Sequence, residues 1–170
     1  EAALAGFHAP EVGGKFPTDP AVLNRALDLR GIKIASQWCS TFLCSTPYEE
    51  SERAFVRTLD FLEAMGASRV NVCELTRNLF TEECSMFGEN KPVADKEEWD
   101  KLCTGLDRLG KIAADRGFKL CFHHHMATVV QTCEETRRLM ENTDPRYVYL
   151  CFDTGHAAFS GEDPVQMARD

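Results

Sequence analysis

The run Phe118-Lys119-Leu120-Cys121-Phe122-His123-His124-His125 sets three of the chain's five histidines at the end of an apolar stretch that reads as a buried β-strand. A second apolar run, Tyr147-Val148-Tyr149-Leu150-Cys151-Phe152, ends in Asp153-Thr154-Gly155-His156. Imidazole and carboxylate together suit a divalent transition metal. In parallel α/β folds the carboxyl ends of the strands are where ligands bind. Side chains alternate along a strand, so Cys121, His123 and His125 share one face while Phe122 and His124 share the other. With the first set turned to the site, His123 and His125 are the functional pair, and His124 packs or hydrogen-bonds behind the strand. Asp153 would be costly to bury without a partner or a metal, although it could instead cap the turn that follows. His156 reaches the same place from a tight turn at Gly155.

Two further acids stand at strand ends. Glu74 has the parity of Val70 and Val72 and is a candidate to point into the site; its alternative is a surface acid paired with Arg77. Glu11 follows Gly6-Phe7-His8-Ala9-Pro10 and has the same two readings. A divalent metal held by such groups polarises a ketone and stabilises the enolate formed when a neighbouring C–H proton leaves. A nearby His or Glu serves as general base or acid. Isomerisation, epimerisation and β-elimination of water from a polyol ketone all fit.

The elements that position these residues repeat as strand, then helix. Strands are expected at 6–12, 32–38, 69–75, 118–125 and 147–153. Asp19-Pro20 opens a helix stopped by Gly31, in the usual order of N-terminal Pro and C-terminal Gly. Apolar positions recur with helical period over 48–65 and 95–116, closed by Gly66 and Gly117. Thr132 and Glu135 form a capping box at the start of a shorter helix to residue 140, and Pro164 starts one more. Alternating apolar strands and amphipathic helices mean an α/β fold with a parallel sheet. A doubly wound open sheet and an incomplete (β/α)8 barrel of about five β/α units both fit. The phosphate-binding glycine loop of nucleotide-binding open sheets is missing, and ligand candidates at successive strand ends favour the barrel, a single domain over 1–170. The long connection between Leu75 and Asp95 is expected to be a lid, with Phe80, Met86 and Phe87 closing over the site.

Composition narrows the class of partner. A net charge of −8 argues against nucleic acid or an anionic membrane surface, and no apolar run approaches the ~20 residues that span a bilayer. Eight cysteines without a C-x-x-C pair, several inside apolar strands, read as free thiols in a reducing cytoplasm.

The segments "FHHHMATVVQT" and "FDTGHAAFSGEDP", with the opening "AGFHAPEVGGKFPTDPAVLNRALDLRGIKIASQW", closely resemble the myo-inosose-2 dehydratase family, within the xylose-isomerase-like TIM barrels of sugar isomerases and epimerases. The resemblance covers nearly the whole chain. It implies dehydration of 2-keto-myo-inositol, a small polyol ketone, to a cyclic diketone in inositol catabolism, with Mn²⁺ or Co²⁺ as metal and Mg²⁺ or Zn²⁺ as alternatives. It also implies His123 and Asp153 as metal ligands, and His125 and His156 as substrate-contacting, catalytic residues. Glu74 is kept as a further catalytic candidate and Glu11 as a substrate-binding one. Ala127 departs from the family's Gly, and His8-Ala9-Pro10-Glu11 departs from its usual Gly-Thr-Glu, though Glu11 remains. The resemblance further implies a barrel incomplete at both ends, with two more ligands, a Gln or His and then a Glu, beyond Asp170. A sugar ketose isomerase or epimerase, or a non-catalytic fragment, is the alternative, and a homo-oligomer is left open.

Overall fold

The computed structural model describes residues 1–169, so the last residue of the expected domain lies outside the described residues. Five parallel strands lie side by side in chain order: β1 (Glu11–Val12), β2 (Ser36–Thr41), β3 (Arg69–Glu74), β4 (Lys119–His123) and β5 (Val148–Cys151). A doubly wound sheet reverses its strand order at a switch point. Here the order never reverses, as in the wall of a barrel. The helices are α1 (Pro20–Asp28), α2 (Tyr48–Ala64), α3 (Lys96–Asp115), α4 (Cys133–Glu141), α5 (Thr154–Phe159) and α6 (Pro164–Met167). None of the described helices is long and apolar enough to cross a membrane.

The helix starts follow from local chemistry. Asp19 accepts from the Ala21 amide ahead of Pro20. Asp95 with Glu98, and Thr132 with Glu135, form reciprocal capping boxes for α3 and α4. The apolar stripes then pack on one face of the sheet. Val70, Val72, Leu120, Phe122 and Val148 are buried there with Phe55, Leu59 and Leu62 of α2, with Leu102, Leu106 and Leu109 of α3, and with Leu139 of α4. At Gly110 a Cβ would lie 2.7 Å from the Tyr147 carbonyl oxygen, so α3 approaches the entry to β5 at backbone distance.

Three elements differ from the sequence expectation. The first strand has only two residues, and β2 begins at Ser36 rather than at 32. Ile32 and Ile34 are buried, but their segment reaches the 8–10 stretch through the isolated bonds Lys33 N–H to His8 C=O and Ala35 N–H to Pro10 C=O, while the Ile32 amide goes back to Leu27 C=O. The ladder itself runs through Trp38-Cys39-Ser40-Thr41, whose polar residues hid it. The segment after Asp153 is a helix, α5, rather than a tight turn.

Candidate active site

Register decides which side chains face the site. Val72 pairs with Phe122, and both are buried toward the helices. Asn71, Cys121 and His123 therefore point to the opposite face. Beyond His123 the chain turns sharply. The His125 amide donates to Val130 C=O, the Thr128 hydroxyl to His125 C=O, and the Ala127 amide to the buried Gln131 side chain. Ala127 holds φ at +65°, a left-handed conformation in which glycine carries no strain.

The turn brings the imidazoles together. Ring centroids lie 3.7 Å apart for His125 and His156, 5.2 Å for His123 and His156, and 5.5 Å for His123 and His125. Trp38 of β2 meets the rings of His123 and His125 edge-on at 5.3 and 5.7 Å. From the long loop, Phe80 lies 4.7 Å from His125, and Phe87 stacks on Phe159 of α5 at 5.2 Å. The loop is tied down by the Leu79 amide on Ala127 C=O, by Arg77 on Glu98 and by Lys91 on Glu135. Of the residues expected to close over the site, Phe80 meets His125 and Phe87 meets α5.

Asp153 caps the helix that follows and also turns its second oxygen toward two imidazoles. Its Oδ1 accepts the His156 amide at 2.8 Å and caps α5. Its Oδ2 faces Nε2 of His123 at 3.8 Å and Nε2 of His156 at 4.0 Å. His123, Asp153 and His156 offer ligand atoms all within 4.8 Å of one another, a group that fits a divalent metal. The state of His123 supports that fit. Both of its ring nitrogens are buried without a hydrogen-bond partner among the described residues, which is costly unless a bound group takes a lone pair.

Protonation states agree with ligation, which needs neutral imidazole and ionised carboxylate. Burial, and then the His156 and His125 rings, push His123 down to about 4. Burial and His125 lower His156 as well. Burial acts to raise the Asp153 carboxyl, but the His156 and Gly155 amides and the neighbouring imidazoles outweigh it and hold it below its ordinary value. The His125 tautomer follows from its partner. Nδ1 lies 2.7 Å from the Met126 carbonyl oxygen, which can only accept, so Nδ1 carries the proton and Nε2 keeps its lone pair.

Four of the residues expected from sequence thus meet: His123, His125, Asp153 and His156. His156, expected beside the substrate, also stands in the ligand group. Glu11 is not brought against the imidazoles. It accepts from Asn71, which also donates to Ser36, and burial raises its carboxyl above the ordinary value. Glu74 requires a correction. The parity it shares with Val70 and Val72 is the helix-facing one, so it turns away from the histidines and is fully buried. Nor does it pair with Arg77, which binds Glu98. One Glu74 oxygen accepts from the Thr41 hydroxyl and the Leu43 amide, the other from the Thr76 amide and hydroxyl. It braces the β2–α2 loop against the base of the long loop. Trp38 was not foreseen as part of the site. Its register across β3 to Cys121, two residues before His123, was the available signal.

Comparison with known proteins agrees with this geometry. Inosose dehydratase of Clostridium tetani (strain Massachusetts / E88) is 48% identical over 169 residues, covering 99% of this chain and 57% of that protein. Inosose dehydratase of Geobacillus thermodenitrificans (strain NG80-2) is 50% identical over 167 residues, covering 98% and 56%. The chain therefore spans a little over half the length of the curated relatives it matches. Among solved structures, the probable 3-DHS dehydratase AsbF of Bacillus anthracis superimposes with a TM-score of 0.72 at 15% identity, over 99% of this chain and 60% of that one. The D-allulose 3-epimerase of Methylomonas sp. gives 0.67 at 22% identity, over 91% and 55%. These two likenesses speak for the fold. The family described as xylose isomerase-like TIM barrel matches residues 1–169. With its parallel strands in barrel order and its imidazoles at their carboxyl ends, the chain belongs to the xylose isomerase-like TIM barrel family.

Proposed function

We propose that this chain carries part of the active site of an inosose dehydratase, a hydro-lyase that removes water from 2-keto-myo-inositol in inositol catabolism. The observation that carries the reading is near-50% identity to inosose dehydratases over almost the whole length of the chain. A divalent ion held by His123, Asp153 and His156 would supply Lewis-acid polarisation of the substrate ketone. The mixed imidazole and carboxylate donors favour Mn²⁺ or Co²⁺ over the harder Mg²⁺, with Zn²⁺ as the alternative.

The residues of the chain do the proton work. His125 Nε2 holds a free lone pair and takes the proton from the carbon beside the ketone. The Met126 carbonyl on Nδ1 steadies the imidazolium that results. The electrons of the broken C–H bond form the carbon–carbon double bond as the C–O bond to the neighbouring hydroxyl breaks. His125 returns its proton to that oxygen, and water leaves. Trp38 and Phe80 wall the site with apolar surface, suited to the C–H faces of a polyol ring. Glu11, Asn71 and Ser36, on the same face of the sheet, offer hydroxyl-binding groups. The free thiols of all eight cysteines fit a reducing cytoplasm.

The test is to give the complete, Mn²⁺- or Co²⁺-loaded enzyme 2-keto-myo-inositol and follow the product by mass spectrometry. A product lighter by one water is expected. A product of unchanged mass with inverted stereochemistry would replace the dehydratase reading by an epimerase.

A further inference from the structure

We propose that His124 is a positioning residue for the metal group, acting through the backbone of Asp153. The proposal rests on the ligand reading of Asp153 given above. His124 is fully buried, sits against the ring of Phe152 at 5.7 Å and has its ring centroid 6.5 Å from that of His156. Its Nε2 accepts the backbone N–H of Asp153 at 3.1 Å.

The position of that bond gives it consequence. The register between β4 and β5 runs to His123 opposite Cys151. Past that pair the β4 chain turns away into the Ala127 loop, and the imidazole of His124 takes the amide of Asp153. Asp153 is then fixed from two sides. His124 holds its N–H, and the His156 amide holds its Oδ1. The remaining oxygen, Oδ2, is left facing Nε2 of His123 and of His156. A ligand set tolerates displacements of only about 0.5 Å before its geometry degrades, so an anchored Asp153 backbone matters to the ligands directly.

The tautomer follows from the donor. An N–H can be accepted only by a bare ring nitrogen, so Nε2 of His124 is unprotonated and Nδ1 carries the hydrogen. That Nδ1 is buried and has no partner among the described residues. An unpaired buried donor is destabilising, and an apolar side chain of similar shape would avoid that cost. Packing alone is therefore a poor reason for an imidazole here, whereas an acceptor aimed at the Asp153 amide requires one.

The experiment compares two variants of the complete enzyme, His124→Gln and His124→Leu, with the wild type. The Gln side-chain oxygen can stand near the Nε2 position and accept the same N–H; Leu fills space without an acceptor. Co²⁺ affinity, read from its visible absorption, should fall about 10–100-fold in the Leu variant, the usual worth of an outer-sphere partner, and stay within about threefold of wild type in the Gln variant. In the metal-free wild type, ¹⁵N spectra should show His124 protonated at Nδ1, and the Asp153 amide should exchange slowly with solvent. Wild-type affinity in the Leu variant, or equal losses in both variants, would overturn the proposal. So would an Nε2-protonated His124 or a fast-exchanging Asp153 amide, which need neither variant to fold. A wild type that binds no Co²⁺ yet protects the amide would sink the metal reading and, with it, the positioning role, while leaving the hydrogen bond itself established.

Discussion

The double duty of Asp153 can be separated by one atom. Asp153→Asn keeps an oxygen that can accept the His156 amide, because Asn and Asp cap helices about equally well. What it removes is the negative charge at Oδ2, and it places an NH₂ there, 3.8–4.0 Å from the two imidazole nitrogens. Asp153→Ala removes both functions. Loss of an N-cap costs roughly 1 kcal/mol. The Asn variant, with its cap intact and its amide still on His124, should stay within about 0.5 kcal/mol of wild type. Metal binding should separate differently. Outer-sphere partners are worth about 10–100-fold in affinity, and loss of a ligand should exceed that in both variants. The assays are denaturant unfolding of the metal-free protein and Co²⁺ titration of the complete enzyme. The expected pattern is two variants equally poor in metal, of which only Ala is less stable. Wild-type Co²⁺ affinity in Asp153→Asn would refute the ligand assignment. Equal destabilisation of Asn and Ala would refute the account of the cap.

Three further outcomes follow from the geometry. His125→Gln should lower kcat by about 10²–10⁴-fold, the usual worth of a positioned base, while metal content is unchanged, since His125 lies outside the ligand group; loss of metal together with activity would move it into that group. Ala127→Gly should be nearly neutral in unfolding experiments, because relief of about 1–2 kcal/mol of left-handed strain is offset by added chain entropy and by a lost buried methyl of about 0.8 kcal/mol. A change larger than ~1.5 kcal/mol in either direction would show that the loop is held by something other than that backbone conformation. Gly110→Ala should destabilise in thermal melts, because overpacking against the Tyr147 backbone at 2.7 Å costs about 1–3 kcal/mol and exceeds or cancels a helix-propensity gain of about 1 kcal/mol; a clearly stabilised variant would refute the close approach of α3 to β5.

The parts of the site legible in the sequence were those governed by period. Alternation along the apolar run grouped His123 with His125, and the two rings do meet, but β4 ends at His123 and the turn that follows carries His125 to its place. The same rule misplaced Glu74, since parity says which residues share a face but not which face is the site. That choice is made between strands, by the pairing of Val72 with Phe122, and no single strand contains it. The helix after Asp153 was hidden for a related reason. Thr154-Gly155 looks like a turn, and only the cap from Asp153 Oδ1 to the His156 amide makes the first helical turn favourable. That cap is also what aims Oδ2 at the imidazoles. Capping and the placement of Oδ2 are thus set by the same side chain: the carboxylate that starts α5 cannot move without moving the oxygen that faces His123 and His156. His124 extends the junction of β5 with α5 across to β4. In the proposed reading the three consecutive histidines divide the work: His123 would hold the metal, His124 would set the neighbouring strand through the Asp153 amide, and His125 would move the proton.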